Sequence, residues 1–168
     1  MALLLENGAV VTDPWTVLDD AAGSDGIPEG PVIVSLERWQ RDRAVLELRN
    51  APLGIRLKSH QLAGEIAADL DRFGLVVLEL PKFRDGRAFS TARLLRERYG
   101  FTGEIRATGA MIPDQFLFLV RCGVSSVEVP DNADLAVWRH ALTEITIAYQ
   151  AAATADEPLS LLRRRLSP

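Results

Sequence analysis

LVVLELPKFRDGRAFSTARLLRERYGFTGEIRA, residues 75–107, reads as strand, basic loop, helix and strand. The run 75–80 is apolar throughout except for Glu79, the pattern of a central parallel strand covered on both faces. Ala88, Ala92, Leu95 and Tyr99 recur at helical spacing, so a helix fills about 87–99 and Gly100 closes it. Glu104-Ile105-Arg106-Ala107 then starts the next strand.

The same rhythm extends to either side. Leu53–Leu57 (LGIRL) is a strand, and Ser59 caps a helix running to about Phe73, with Leu62, Ile66, Ala67, Leu70 and Phe73 on one face. Pro113-Asp114-Gln115 opens a helix FLFLVRC that stops at Gly123, and Ser126–Val129 is a strand. Asn132 caps a final long helix through about Tyr149. Strands starting near 53, 75, 104 and 126, each pair separated by a helix, imply right-handed βαβ crossovers and a parallel sheet. The fold class is therefore α/β, built of repeated βα units. Two closures fit: a partial (β/α)-barrel-like sheet, which the strand, loop, helix, Gly, strand rhythm of 103–129 favours by analogy, or an open doubly wound sheet.

The first fifty residues are less regular. Residues 2–11 form one or two short strands broken by the turn dipeptide Asn7-Gly8, and 12–31 read as an acidic, flexible loop. Pro31–Val34 looks like a short buried strand, after which Ser35 caps a helix in SLERWQRDRAVLELR. The tail 151–168 is expected to be frayed or to serve as a docking peptide, and 1–168 to be a single domain.

Composition narrows the function classes. The chain has 168 residues, 48% hydrophobic and 25% charged, with net charge −4, too apolar and too weakly charged for a disordered polymer. No apolar run reaches the roughly 18 residues of a membrane helix, and the short apolar start has no basic segment before it, so no membrane association or signal peptide is expected. These readings point to the cytoplasm. One cysteine, Cys122, excludes an internal disulfide framework and a multi-cysteine metal site. A pI of about 5.2 argues against general nucleic-acid binding.

The charge is unevenly distributed. Seventeen of the 19 basic residues are arginine, and between Lys82 and Arg106 seven cations face three carboxylates. That stretch is +4 inside an otherwise acidic chain. In an α/β sheet, ligands sit at the carboxyl ends of the strands. The loop PKFRDGR (81–87) occupies such a place, just before a helix N-terminus, where Lys82, Arg84 and Arg87 and the helix dipole would all favour a bound anion. A purely structural alternative has Asp85 capping the helix and pairing with Arg84 or Arg87. Ser90, Arg93, Arg96 and Arg106 extend the candidate anion- or partner-binding surface. Other strand-end candidates are Lys58, His60, Thr108, Gly109, Asp114, Asp131 and Asn132, and Glu79 with Glu128 form a conceivable carboxylate pair. Cys122 reads as packing, Asp114-Gln115 as a helix start, and His60 and His140 as unrelated, so no metal site is expected.

The segment 80–109, followed by PDQ (113–115) and RCG (121–123), closely resembles the core of a bacterial family catalogued as domain of unknown function number 934. Arg84, Asp85, Gly86, Arg87, Phe89 and Ser90 of that motif are intact, while Val124 stands where the family often has an aromatic residue. Members of the family are typically encoded beside the sulfite reductase hemoprotein and sulfate-assimilation reductases, and are sometimes labelled oxidoreductases on that ground. The resemblance thus implies an accessory role in assimilatory sulfite reduction, with the hemoprotein or another sulfur-assimilation enzyme as partner, but brings no catalytic residues. The sequence carries no flavin or nicotinamide fingerprint, haem ligand pair or iron–sulfur cysteine set, so no cofactor is expected. Whether the protein is an enzyme stays open at this point. The competing reading is a small barrel-like enzyme gripping a phosphorylated or sulfated metabolite with Lys82, Arg84 and Arg87.

Overall fold

Period-two alternation along the strands sets the architecture of the chain, whose computed structural model describes residues 1–21, 23, 27–145 and 152–153. In chain order the elements are β1 (Ala2–Leu5), β2 (Val10–Val11), β3 (Thr16–Val17), β4 (Val32–Ser35), α1 (Leu36–Leu46) and β5 (Leu53–Leu57). Two 3₁₀ turns (Ala63–Glu65 and Ala67–Arg72) lead to β6 (Leu75–Leu80), α2 (Arg87–Glu97) and β7 (Glu104–Gly109). A 3₁₀ turn (Pro113–Gln115), α3 (Phe116–Arg121), β8 (Ser126–Val129) and α4 (Leu135–Ala141) complete the described fold.

These strands form one sheet in the order β2-β1-β8-β7-β6-β5-β4-β3. From β3 to β8 every neighbour pair is parallel, and neighbours in space are neighbours in sequence. β1 then adds antiparallel to β8, and β2 antiparallel to β1 through the turn at Gly8, whose φ is 80°. Because the order never reverses, right-handed crossovers all fall on one face and the sheet curls into a half-barrel. The barrel-like expectation holds, and the doubly wound alternative, which needs a reversal of strand order, is excluded.

The helix-covered face carries the main core. Val32 and Val34, Ile55 and Leu57, Val76 and Leu78, Ile105 and Ala107, and Val127 and Val129 meet Trp39, Phe89, Ala92, Leu95, Phe116, Leu119 and Trp138 from the helices. The alternate positions of the same strands face the other way. There Ile33, Leu75 and Val77 form a small second cluster under Trp15. Within 12–31, Thr16–Val17 pair with β4, while residues 22 and 24–26 lie outside the described ones.

Two expected helices differ in the structure. The segment 59–73 makes two 3₁₀ turns instead of one α-helix, because Ile66 (φ −113°, ψ 2°) breaks the path between them. Ile66, Leu70 and Phe73 are still buried, but Leu62 points outward, and the Ser59 hydroxyl accepts from Arg87 rather than capping a helix. The last helix starts at Leu135 with Asp134, not Asn132, as its cap; the Asp134 side chain accepts from Ala136 N–H at 2.9 Å. It ends at Ala141, where the Thr143 hydroxyl donates to the His140 carbonyl and competes with the helical pattern. Residues 146–149 of the expected helix, and all of the expected frayed tail except Ala152 and Ala153, lie outside the described residues.

Candidate functional site

The loop between β6 and α2 is built on a close crossing of two strand ends. Gly109 ends β7 at φ 112°, and a Cβ there would lie 2.3 Å from the Leu80 carbonyl oxygen, so only glycine lets β7 pass. The next residue, Ala110, donates its N–H to that carbonyl at 2.7 Å. Pro81 then turns the chain away from the sheet, and a turn follows in which Asp85 N–H donates to the Lys82 carbonyl at 2.9 Å. Gln115, from the turn before α3, donates through Nε2 to the Phe83 carbonyl at 2.8 Å and fixes the loop from the other side.

Asp85 is committed inside the loop. It accepts from Arg87 Nε at 2.8 Å, from Arg87 Nη2 at 2.6 Å and from Arg87 N–H at 3.2 Å. Arg87 also donates to Ser59 Oγ at 2.9 Å. The guanidinium beside it, the Arg87 amide and the Ser59 hydroxyl hold the Asp85 carboxyl far below the usual carboxylate range. Lys82 and Arg84 are different: both are exposed, and no ion pair to either occurs among the described residues. The Arg84 guanidinium lies 5.4 Å from the Phe83 ring centroid, and Phe83 itself is 48% exposed.

Two clefts adjoin this loop and share Phe83 and Arg84. The first, of about 510 Å³, is lined by Phe83, Arg84, Phe89, Ser90, Arg93 and Phe118, with Gly86, Asp114, Gln115 and Cys122 completing it. Phe89 and Phe118 stack at 5.1 Å between centroids across its floor. The second, of about 480 Å³, lies between Pro81-Lys82-Phe83-Arg84 and Ala110-Met111-Ile112. Burial pushes the Cys122 thiol up, against the smaller opposing effect of Arg93 and Arg121.

Six of the eight expected residues therefore meet at one edge: Lys82, Arg84, Asp85, Arg87, Ser90 and Arg93. Arg93 donates to Glu97 at 2.8 Å, one helical turn on. The other two lie elsewhere. Arg96, at the far end of α2, donates to the carbonyls of Phe101 (2.7 Å), Gly103 (2.7 Å) and Gly123 (3.0 Å) and pins two loops. Arg106 projects onto the open sheet face, fully buried, 2.7 Å from Asp13, 3.1 Å from Glu104 and 3.4 Å from Glu128.

That open face holds a polar ladder around Arg106. Glu128 accepts from the Thr108 hydroxyl at 2.7 Å, Glu104 accepts from the Ser126 hydroxyl at 2.5 Å, and Arg56 pairs with Glu79 at 2.6 Å. Glu79 and Glu128 share this face but stand on strands two apart, about 10 Å in a flat sheet, and each has its own cation. The signal for the ladder was the alternation Glu104, Arg106, Thr108 in β7, set against Ile105 and Ala107. Asp13, 93 residues away in sequence from Arg106, had no such signal.

Among the described residues no group of three or more His, Cys, Asp or Glu is placed to hold a metal ion, and no helix is long and apolar enough to cross a membrane. No curated protein matches the chain. Residues 54–160 match the family described as bacterial protein of unknown function (DUF934), a span that contains the loop, both clefts, β6 to β8 and all of β5 but Leu53. Since that match covers more than half of the sequence, with the 80–123 motif at its centre, the chain belongs to the DUF934 family.

Proposed function

We propose that this protein is an accessory component of assimilatory sulfite reduction in the cytoplasm, acting with the sulfite reductase hemoprotein through its cationic loop 82–87. The observation that carries the reading is the loop's charge balance. Asp85 is taken by Arg87, which leaves Lys82 and Arg84 facing solvent beside an exposed phenylalanine. Two cations with no ionic partner among the described residues, on a fixed loop in a chain of net charge −4, favour encounter with an acidic surface at this edge over others. The pathway itself comes from the family resemblance. In this reading the protein makes and breaks no bonds; it positions a partner.

The test is growth of a deletion strain on sulfate, sulfite, sulfide or cysteine as sole sulfur source. Rescue by sulfide and cysteine but not by sulfate or sulfite is expected, and normal growth on all four would contradict the pathway.

A second reading, a barrel-like enzyme acting on a phosphorylated or sulfated metabolite, is favoured by one observation. Arg84, Ser90 and Arg93 line a single cleft near the carboxyl end of β6, the edge where barrel enzymes carry their sites. It predicts a thermal shift with one anion class that Arg84→Ala abolishes. A protein indifferent to phosphate, sulfate, sulfite and nucleotides would remove it.

A further inference from the structure

From the chemistry of the two clefts we infer that the groove over the loop takes an extended acidic peptide segment of the partner, with apolar side chains seated on either side of the Phe83–Arg84 ridge. This rests on the partner-binding reading above. Both clefts are roomy, about 510 and 480 Å³, and their walls are largely apolar side chains: Phe83, Phe89 and Phe118 on one side, Met111 and Ile112 on the other. Phe83, Phe118 and Ile112 are 48%, 55% and 40% exposed, so none of the other described residues covers this surface. A free oxyanion has no apolar surface to bury there, whereas a leucine or phenylalanine side chain does.

Charge settles the rest of the occupant's chemistry. Lys82, Arg84 and Arg93 line the two clefts against one carboxylate, Asp114. Arg93 is shared with Glu97, but Lys82 and Arg84 have no ionic partner among the described residues. A basic or neutral segment would leave these cations unmatched at the moment it excludes water from them. Glutamates or aspartates between two apolar anchors match them. The groove is also pre-formed. Gln115 holds the Phe83 carbonyl, Ala110 holds the Leu80 carbonyl, and the Asp85–Arg87–Ser59 bonds hold the loop's far end. Ordering costs then fall on the peptide alone.

Random peptides of about twelve residues, displayed against the immobilised full chain at low ionic strength, test this, with the selected peptides synthesised and titrated by NMR. Enriched peptides are expected to carry acidic residues around two apolar ones and to shift the amides of Phe83, Ile112 and Phe118. Their affinity should drop about tenfold in Phe118→Ala, and similarly in Ile112→Ser, both partly exposed positions, with circular dichroism confirming that each variant stays folded. Selection of no peptide, of peptides without acidic residues, or of peptides that bind both variants unchanged would overturn the inference. So would displacement of the selected peptides by millimolar phosphate or sulfite at constant ionic strength, which would mark the groove as a small-anion site. The two readings fail separately. Hemoprotein binding that depends on Arg84 but survives Phe118→Ala leaves the partner reading standing and ends this one. Acidic peptides selected by a chain that does not bind the hemoprotein end the partner reading alone.

Discussion

Arg96 lies in the basic segment that the sequence marks as a contact surface, yet its geometry assigns it to holding the fold, and Arg96→Ala separates the two. Its guanidinium donates to three carbonyls, two at 2.7 Å and one at 3.0 Å, and lies 5.8 Å from the Phe101 ring centroid. Hydrogen bonds from a charged donor contribute about 1.5–3 kcal/mol each. Three of them act as a unit and water can reach the carbonyls once the side chain is gone, so the sum is an upper bound. The expected loss is about 2–4 kcal/mol, which at this chain length lowers Tm by roughly 4–16 °C. Arg96→Lys should recover less than half, because a single ammonium cannot serve three separated acceptors. Gly123→Ala offers an independent check. At φ 99° its Cβ would sit 2.4 Å from Arg96 Cγ, so it should displace the same side chain. Urea unfolding followed by circular dichroism reads all three variants. A loss under about 0.5 kcal/mol for Arg96→Ala would refute the structural assignment. So would loss of hemoprotein binding with stability intact.

Three further outcomes are expected. Arg106→Met leaves Asp13, Glu104 and Glu128 without their shared cation and should cost about 3 kcal/mol, the low end for a broken buried pair because the carboxylates are partly exposed; a change below about 1 kcal/mol in urea unfolding would contradict it. The Asp85 carboxyl titrates below its unfolded value of about 3.9, so its contribution to stability is complete above the ordinary carboxylate range and is lost progressively as pH falls from there through the folded value. An NMR titration of its carboxyl carbon with a midpoint near the ordinary value would remove that pairing. The Cys122 thiol, raised by burial and only 6% exposed where it borders the first cleft, should react with a disulfide reagent at neutral pH more slowly than a free thiol, and rapid stoichiometric labelling of the folded chain would contradict that burial.

How far the sequence reached follows from which signals are local. β5 to β8 were readable because each strand is a short apolar or alternating run bounded by glycine or proline, and their even spacing with intervening helices implied a parallel sheet. The loop 81–87 was readable because its cations cluster within seven residues at a strand end. The segment 59–73 misled because Ile66, Leu70 and Phe73 have helical spacing, and that spacing also buries them when two 3₁₀ turns replace the helix. Linear charge counting groups Arg96 and Arg106 with the loop because it ignores burial. Arg96 finds its acceptors at 101, 103 and 123, and Arg106 one of its partners at 13. Such pairings exist only once the sheet has curled. The sequence offers Asp85 both Arg84 and Arg87 as partners, and the choice of Arg87 follows from Ser59 giving that guanidinium a second acceptor.

Whether Lys82 and Arg84 form a contact for an acidic partner is read from the affinity of the full chain for purified sulfite reductase hemoprotein over a series of salt concentrations. Binding is expected to weaken steeply with salt and to fall about tenfold or more in the double variant Lys82→Glu with Arg84→Glu, while Arg93→Ala, which removes a cation already paired with Glu97, changes it less. Affinity that is flat in salt and unmoved by the double charge reversal would contradict it.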